Sequence, residues 1–310
     1  MPLVSVIIPA YNSGHYLDEA VQSVIAQTFT DWECIVVDDG STEDLSRVGK
    51  MDPRVRLIRQ RNRGVACARN VGITSAGGVY IAFLDHDDLW LPNKLSCQVA
   101  VMEKNPGAGL CHHLFEIADA SGLRQAGALG GETVASYLEM LEKGGPLPTV
   151  SMFTKEAAGS AGLLDPLYRA GEDHEFFLNI ARLYEVKFIP SVLAIYRVHG
   201  TNASRNYMES VWTLRNIAEK HARAARSCGD RMAEAAAGRM FAFRRRQFGA
   251  QAYDAARGCL GSGRAWLVAV HLLRALRWAP GYVSLAIAHY AAGCAHAAAR
   301  RACALLRLRR

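Results

Sequence analysis

The 310-residue sequence predicts an α/β fold: a mostly parallel sheet flanked by helices, followed by a helical C-terminal region. Three observations carry this reading. Short β-branched apolar runs recur through the first hundred residues, stretches of helical spacing separate them, and half of the chain is hydrophobic, enough to bury a full core with an appendage.

Val4–Pro9 reads as the first strand, closed by Pro9 and the turn residues Asn12, Ser13 and Gly14. Tyr16–Gln27 follows with apolar residues at 17, 20, 21, 24 and 25, the spacing of a helix. Trp32–Val37 is strand-like and ends in "DDGST", a short helix is expected over Glu43–Val48, and Arg54–Ile58 makes a third strand. Cys67–Ser75 reads as a helix and Val79–Leu84 as a fourth strand. Residues 106–205 alternate less cleanly, with Gly-rich turns expected at 127–131 and 144–148. From Tyr207 the pattern is helical almost to the end, with breaks at Gly258–Gly263 and Pro280–Gly281.

In parallel sheets ligands sit off the carboxyl ends of the strands. Ala10–Asn12, Asp38–Thr42 and Asp85–Asp88 each follow a predicted strand, so they are expected to converge on one crevice. Taken singly, these clusters stay ambiguous. "DDG" with Ser41 suits a turn or cap as well as a binding loop. "DHDD" suits a solvated loop, a helix cap or a hard divalent cation, which prefers oxygen ligands.

In order and spacing, "VSVIIPAYN", "SVIAQTFTDWECIVVDDGSTED", "NRGVACARNVGITSAGGVYIAFLDHDDLWLPNKL" and "GEDHEFFLNI" resemble the family 2 glycosyltransferases of the GT-A fold, inverting enzymes. The resemblance is dense over residues 3–100, continues to about 205 and is generic beyond. It implies a nucleotide-sugar-binding half at 1–105 and an acceptor-binding half at 106–205, while charge and helical spacing mark 206–310 as a basic helical region. The implied reaction moves a sugar from a nucleotide-sugar, typically UDP-linked, to a hydroxyl of a glycan or lipid-linked saccharide.

The resemblance also assigns residues. Asp39 matches the carboxylate that accepts a hydrogen bond from the base, Asp38 supports that loop, and Pro9, Ala10 and Tyr11 form the other wall. Arg69 matches a residue near the nucleotide or its phosphates. Asp85 would lie near the ribose or metal and Asp87 would bind Mn²⁺ or Mg²⁺, with His86 among them as a spacer pointing away and Asp88 either orienting that shell or beginning the next turn. Asp173 is the implied general base and Glu172 its alternate, although an acidic first turn also simply suits a helix dipole. In "YRVHGTNAS", His199 is expected as a further metal or phosphate contact and Arg197 as a phosphate contact. His112 and His113 read as ordinary strand-end histidines.

Two other readings compete. A sugar-1-phosphate nucleotidyltransferase would need a Gly-rich phosphate loop after its first strand, where this sequence has "PAYNSGHYL". A catalytically dead scaffold would show loss of Asp39, Asp85, Asp87 or Asp173, and all four stand.

Charge divides the chain. Residues 1–210 hold 18 Lys and Arg against 25 Asp and Glu, whereas the last hundred hold 18 against 4. Between Arg264 and Trp278 an amphipathic helix is expected, either packed on the catalytic domain or lying on an anionic membrane surface. No nucleic-acid-binding module accompanies it, so nucleic acid is not an expected partner. Eight scattered cysteines without a C-x-x-C pair suggest reduced thiols, and "MPLVSVIIPAYN" reads as a strand rather than a signal peptide, so a cytoplasmic location is expected, peripheral at the inner face of the cell membrane if the basic helices lie on it. Tyr282–Ala299 lacks formal charge but is too weakly apolar to be read as a transmembrane helix.

Overall fold

Six apolar residues out of seven let β1 (Val4–Ala10) be buried on both faces, and the whole strand is buried. Ser5, the exception, donates its hydroxyl to Glu33 Oε1 at 2.7 Å. The computed structural model describes residues 1–199 and 207–240, with Ala242 and Leu273; the expected helix at Arg264–Trp278 and the terminal "RRACALLRLRR" lie outside the described residues. Met1–Met240 form one compact unit.

The helix α1 (Tyr16–Ile25) turns Leu17, Ala20, Val21 and Val24 into the core, as its spacing predicts. Strands β2 (Trp32–Asp38) and β3 (Val55–Arg59) add to one side of β1, and after α2 (Val65–Ser75) strand β4 (Tyr80–Phe83) adds to the other, all parallel. Parallel neighbours on both sides leave a crevice at the carboxyl end of β1, between chains that leave in opposite directions. Tight packing holds this layer: a Cβ on Gly72 of α2 would overlap the side chain of Ile7.

The chain continues through β5 (Leu89–Trp90), α3 (Lys94–Lys104), β6 (Ala108–Asp119), β7 (Arg124–Gly130), α4 (Tyr137–Lys143), β8 (Ser151–Thr154), α5 (Lys155–Ala161), α6 (Glu172–Leu183), β9 (Glu185–Val198) and α7 (Tyr207–Cys228). Among the described residues the sheet order is β3-β2-β1-β4-β8-β6-β9-β5, with β7 paired to β6. It runs unbroken across residue 105, because β4 pairs antiparallel with β8. Beneath it Phe83, Phe153, Phe176 and Phe177 pack ring to ring, which fixes α6 under the edge where β4 ends. No helix among the described residues is long and apolar enough to cross a membrane.

Three local expectations are corrected. Glu43–Val48 forms no helix: Asp44 accepts the backbone N–H and hydroxyl of Ser46, a local alternative to helical bonding, and only a 3₁₀ turn at Val48–Lys50 remains. The glycines at 127–131 mostly lie in strand β7, where Gly130 leaves room for the Phe115 ring opposite it. His112 and His113 sit inside β6, not at its end, and burial pushes His113 down to about 3.

Lys94 is fully buried, with its Nζ 3.5 Å from the Trp90 ring centre and no hydrogen-bond acceptor. A desolvated cation–π contact is worth about 2 kcal/mol, against several for removing an ammonium from water. Burial wins: it pulls Lys94 well below the usual lysine range, with Cys111 opposing it only in part. Lys94→Met, which keeps the stem, is therefore expected to raise Tm near pH 7. A base depressed in the fold makes the folded state more stable as pH rises toward the ordinary lysine value, so wild type should close part of that gap as pH is raised above neutral in thermal denaturation.

Candidate functional site

The register of the sheet brings the ends of β1 and β2 level, while β4 stops earlier along β1. Ala10 lies opposite Asp38, and Ile7 opposite Phe83. Beyond them the backbone N–H of Asp39 donates to the carbonyl of Ala10 at 2.8 Å, and Asn12, in a left-handed conformation with φ 48°, knits the first loop to the second. Its N–H donates to Ser41 Oγ at 3.0 Å, and its Oδ1 accepts from the N–H and hydroxyl of Thr42.

Asp39 is buried and heavily used. Its Oδ1 accepts from Gln60 Nε2 at 2.6 Å and from the N–H of Arg63 at 2.9 Å, while Oδ2 accepts from the N–H of Gly64 at 2.8 Å. A carboxylate has about four acceptor positions, so one remains for a ligand N–H. Asp38 holds the turn from below, accepting the N–H of Ser41 at 2.8 Å, with Arg59 3.5 Å from its other oxygen. Gly40 (φ 82°) must be glycine, since a Cβ would come 2.7 Å from the backbone nitrogen of Asn62. Pro9 and Ala10 are buried, and Tyr11 is 48% exposed at the mouth of the crevice.

At the end of β4 the carboxylates separate in role. The N–H of Asp88 donates to the carbonyl of Asp85 at 3.1 Å, closing a turn that lays His86 back on β1, with Nδ1 3.3 Å from the Pro9 carbonyl. His86 therefore does not point away. Asp88 is buried and accepts from the Thr149 hydroxyl at 2.5 Å and from the N–H of Arg197 at 3.0 Å. Burial, with Asp87 and Asp85 nearby, raises it well above the usual carboxylate range. It ties β9 to the acidic loop. Asp87 Oδ2 instead faces His199 Nε2 at 2.9 Å.

Arg69, expected near the nucleotide or its phosphates, is tied to two carboxylates. Only 4% exposed, it donates to Asp85 Oδ1 at 2.6 Å and to Glu172 Oε1 at 2.7 Å. Burial alone would weaken its hold on the proton, but Asp85, Glu172 and Asp173 more than reverse this. A buried guanidinium needs carboxylates, and this one finds them on both sides of the crevice. Arg197, expected as a phosphate contact, is also buried and paired, in its case with Glu19.

Glu172 and Asp173 open α6, whose first-turn N–H groups favour negative charge. Burial opposes that. It raises Glu172 to about 7, with Asp173 adding and Arg69 subtracting, and raises Asp173 as well. Asp173 retains some exposure, while Glu172 is buried on Arg69. The structure thus gathers Asp39, Arg69, Asp85, Asp87, Glu172, Asp173 and His199 through linked loops at one sheet edge. Sequence reasoning missed Gln60, Arg63, Gly64 and Thr149, which act through a backbone N–H, an amide or a hydroxyl and leave no charge pattern to find.

The family described as "Glycosyl transferase family 2" matches residues 5–158. An uncharacterized glycosyltransferase from Rickettsia typhi is 30% identical over 227 residues, covering 69% of this chain and 70% of the relative. The chain belongs to glycosyltransferase family 2.

Over a shorter span, 106 residues covering 33% of this chain and 42% of the relative, this family 2 chain is 41% identical to the UDP-Glc:alpha-D-GlcNAc-diphosphoundecaprenol beta-1,3-glucosyltransferase WfgD from Escherichia coli. It spans 66% of the length of a Nostoc relative and 29–33% of three Rickettsia relatives. Among solved structures, Staphylococcus aureus TarS 1-349 in complex with UDP-GlcNAc superposes with a TM-score of 0.65 at 16% identity, covering 89% of this chain and 80% of that one. A Pyrobaculum calidifontis mannosyltransferase in complex with GDP-Man and Mn²⁺ gives 0.54 at 18%, covering 88% and 86%. At these identities the likeness shows the fold, which is GT-A.

Proposed function

We propose that this chain is a metal-dependent inverting glycosyltransferase that moves a sugar from a UDP-sugar to a hydroxyl of a glycan or lipid-linked saccharide. One observation carries the reading: Arg69 joins the acidic loop after β4 to the carboxylate pair that opens α6, so a donor-binding edge and a proton acceptor share one crevice. The donor named for the Escherichia coli relative and the nucleotide sugar bound by TarS support the UDP assignment.

In this reading the nucleotide base lies between Tyr11 and the Asp39 loop, whose remaining acceptor position takes the imide N–H. Asp85 stands beside the ribose, its orientation fixed by Arg69. Asp173 accepts the proton of the acceptor hydroxyl as that oxygen attacks the anomeric carbon, and the bond from that carbon to the diphosphate breaks. The electron pair leaves with UDP, and the configuration inverts in one displacement.

Asp87 and His199 would hold the cation. Their facing oxygen and imidazole donors fit Mn²⁺ better than Mg²⁺. Among the described residues no group of three or more such side chains forms a complete cage, which suits a cation finished by substrate phosphates. When bound, it supplies positive charge against the diphosphate as negative charge develops there.

The test is a thermal-shift screen of nucleotide sugars with and without Mn²⁺, followed by transfer assays. UDP-sugars should stabilise wild type more with Mn²⁺ than without, and Asp87→Ala should abolish that increment. Turnover unchanged in Asp87→Ala would sink the metal assignment, and pyrophosphate exchange in place of transfer would favour a nucleotidyltransferase. The basic composition of the last hundred residues supports a peripheral contact with anionic membrane. Full-length protein should then sediment with phosphatidylglycerol vesicles at low salt and be released at high salt.

A further inference from the structure

The geometry points to Tyr16, on the first turn of α1, as the residue that positions His199 for cation binding; this rests on the proposed Asp87–His199 site. The His199 side chain lies between two surfaces. One is Asp87, 2.9 Å away. The other is the Tyr16 ring, stacked on the imidazole with centroids 5.2 Å apart and planes 17° apart.

Tyr16 is itself held from several directions. Its hydroxyl donates to the Ala120 carbonyl at 3.2 Å, in the turn between β6 and β7. The Arg197 guanidinium lies 5.2 Å from its ring centre and pairs with Glu19, one helical turn further along α1. The backbone N–H of Arg197 donates to Asp88, next to Asp87. The end of β9, the acidic loop and the start of α1 are therefore fixed to one another, with the Tyr16 ring as the flat surface against which the imidazole lies.

Core packing does not explain this ring. Tyr16 is only partly buried, and α1 fills the core with Leu17, Ala20, Val21 and Val24 instead. What the ring does fix is the plane of His199, and with it the direction of Nε2. A metal ligand whose outer support is removed typically loses about 10–100-fold in metal affinity. Tyr16→Ala should therefore weaken Mn²⁺ binding by about tenfold through His199.

The experiment titrates Mn²⁺ into full-length protein saturated with UDP and reads free Mn²⁺ by electron paramagnetic resonance. The variants are Tyr16→Ala, Tyr16→Leu, Tyr16→Phe and His199→Ala, and the Tm of each is measured in EDTA. Tyr16→Phe keeps the ring and should bind within about twofold of wild type, while the alanine and leucine variants approach His199→Ala. Adding Tyr16→Ala to His199→Ala should cost nothing further, because the tyrosine acts through the histidine.

Failures separate. Wild type and His199→Ala binding Mn²⁺ equally would remove the metal pair itself. Weak binding by His199→Ala with normal binding by Tyr16→Leu and Tyr16→Ala would keep the pair and overturn the role of Tyr16. A fall in the EDTA Tm of both tyrosine variants that tracks their loss of affinity would make the role structural, which also overturns it.

Discussion

Replacing Asp173 by asparagine is expected to lower turnover by roughly 10²–10⁴-fold, the usual contribution of a positioned general base, while UDP binding changes little. The substitution keeps shape and most hydrogen bonding but removes the basic carboxylate that, in the proposed mechanism, would take the acceptor proton. Asp173 suits the task better than Glu172. It retains some exposure toward an incoming hydroxyl, whereas Glu172 is buried on Arg69. Both carboxyls are raised chiefly by burial, which places a base nearer to working pH.

The pH sign follows. A carboxyl must be ionised to accept a proton, so kcat/KM should be full at high pH and fall as pH drops through the raised values of the pair. Stability runs the other way. Glu172 holds its proton more tightly in the fold, at about 7, so its contribution is fully present at low pH and is lost as pH rises through that value. Relative to Glu172→Gln, wild type should lose stability in denaturant titrations between about pH 5 and 8. Transfer persisting at the wild-type rate in Asp173→Asn would refute the assignment of the base.

Arg69→Met should be the most destabilising single change in the site. Removing one member of a buried ion pair costs about 3–5 kcal/mol, because the partner stays buried and unpaired, and here Glu172 loses its cation and Asp85 its orientation. In a unit of this size that corresponds to a fall in Tm of about 10 °C. With Arg69 no longer opposing its burial, Glu172 should rise further, and the acid limb of kcat/KM should move to higher pH. Arg69→Lys tests the geometry. A single ammonium meets one carboxylate, not both as the guanidinium fork does, so stability should recover in part and turnover less. Equal recovery of both would show that charge alone is needed there.

How much of this was legible depends on the distance over which each signal acts. Strands β1 to β4 were legible, within a residue or two of expectation, because a buried strand writes itself as a short apolar run, although Arg56 interrupts that run in β3. The two-residue β5 left no run to read. The weak point was Glu43–Val48, where side-chain bonds from Asp44 displaced a helix that spacing alone allowed. Strand β7 escaped notice because its glycines read as a turn, whereas Gly130 makes room for the Phe115 ring on the neighbouring strand.

The sequence by itself determined the α/β class, the resemblance to a transferase family and the placement of Asp39, Asp85 and Asp87 just beyond strand ends. Those follow from local periodicity and short-range order. Only the tertiary structure decided which partners the polar side chains meet. Arg69 meets Glu172 across 103 residues, and Asp88 meets the backbone of Arg197 across 109. Such pairs depend on the order in which strands join the sheet, which no spacing within one segment records. The physical reason is burial: once the sheet closes, a charge taken out of water must find an opposite charge or a donor, or shift toward its neutral form as Lys94 does, and the partner within reach is set by the fold.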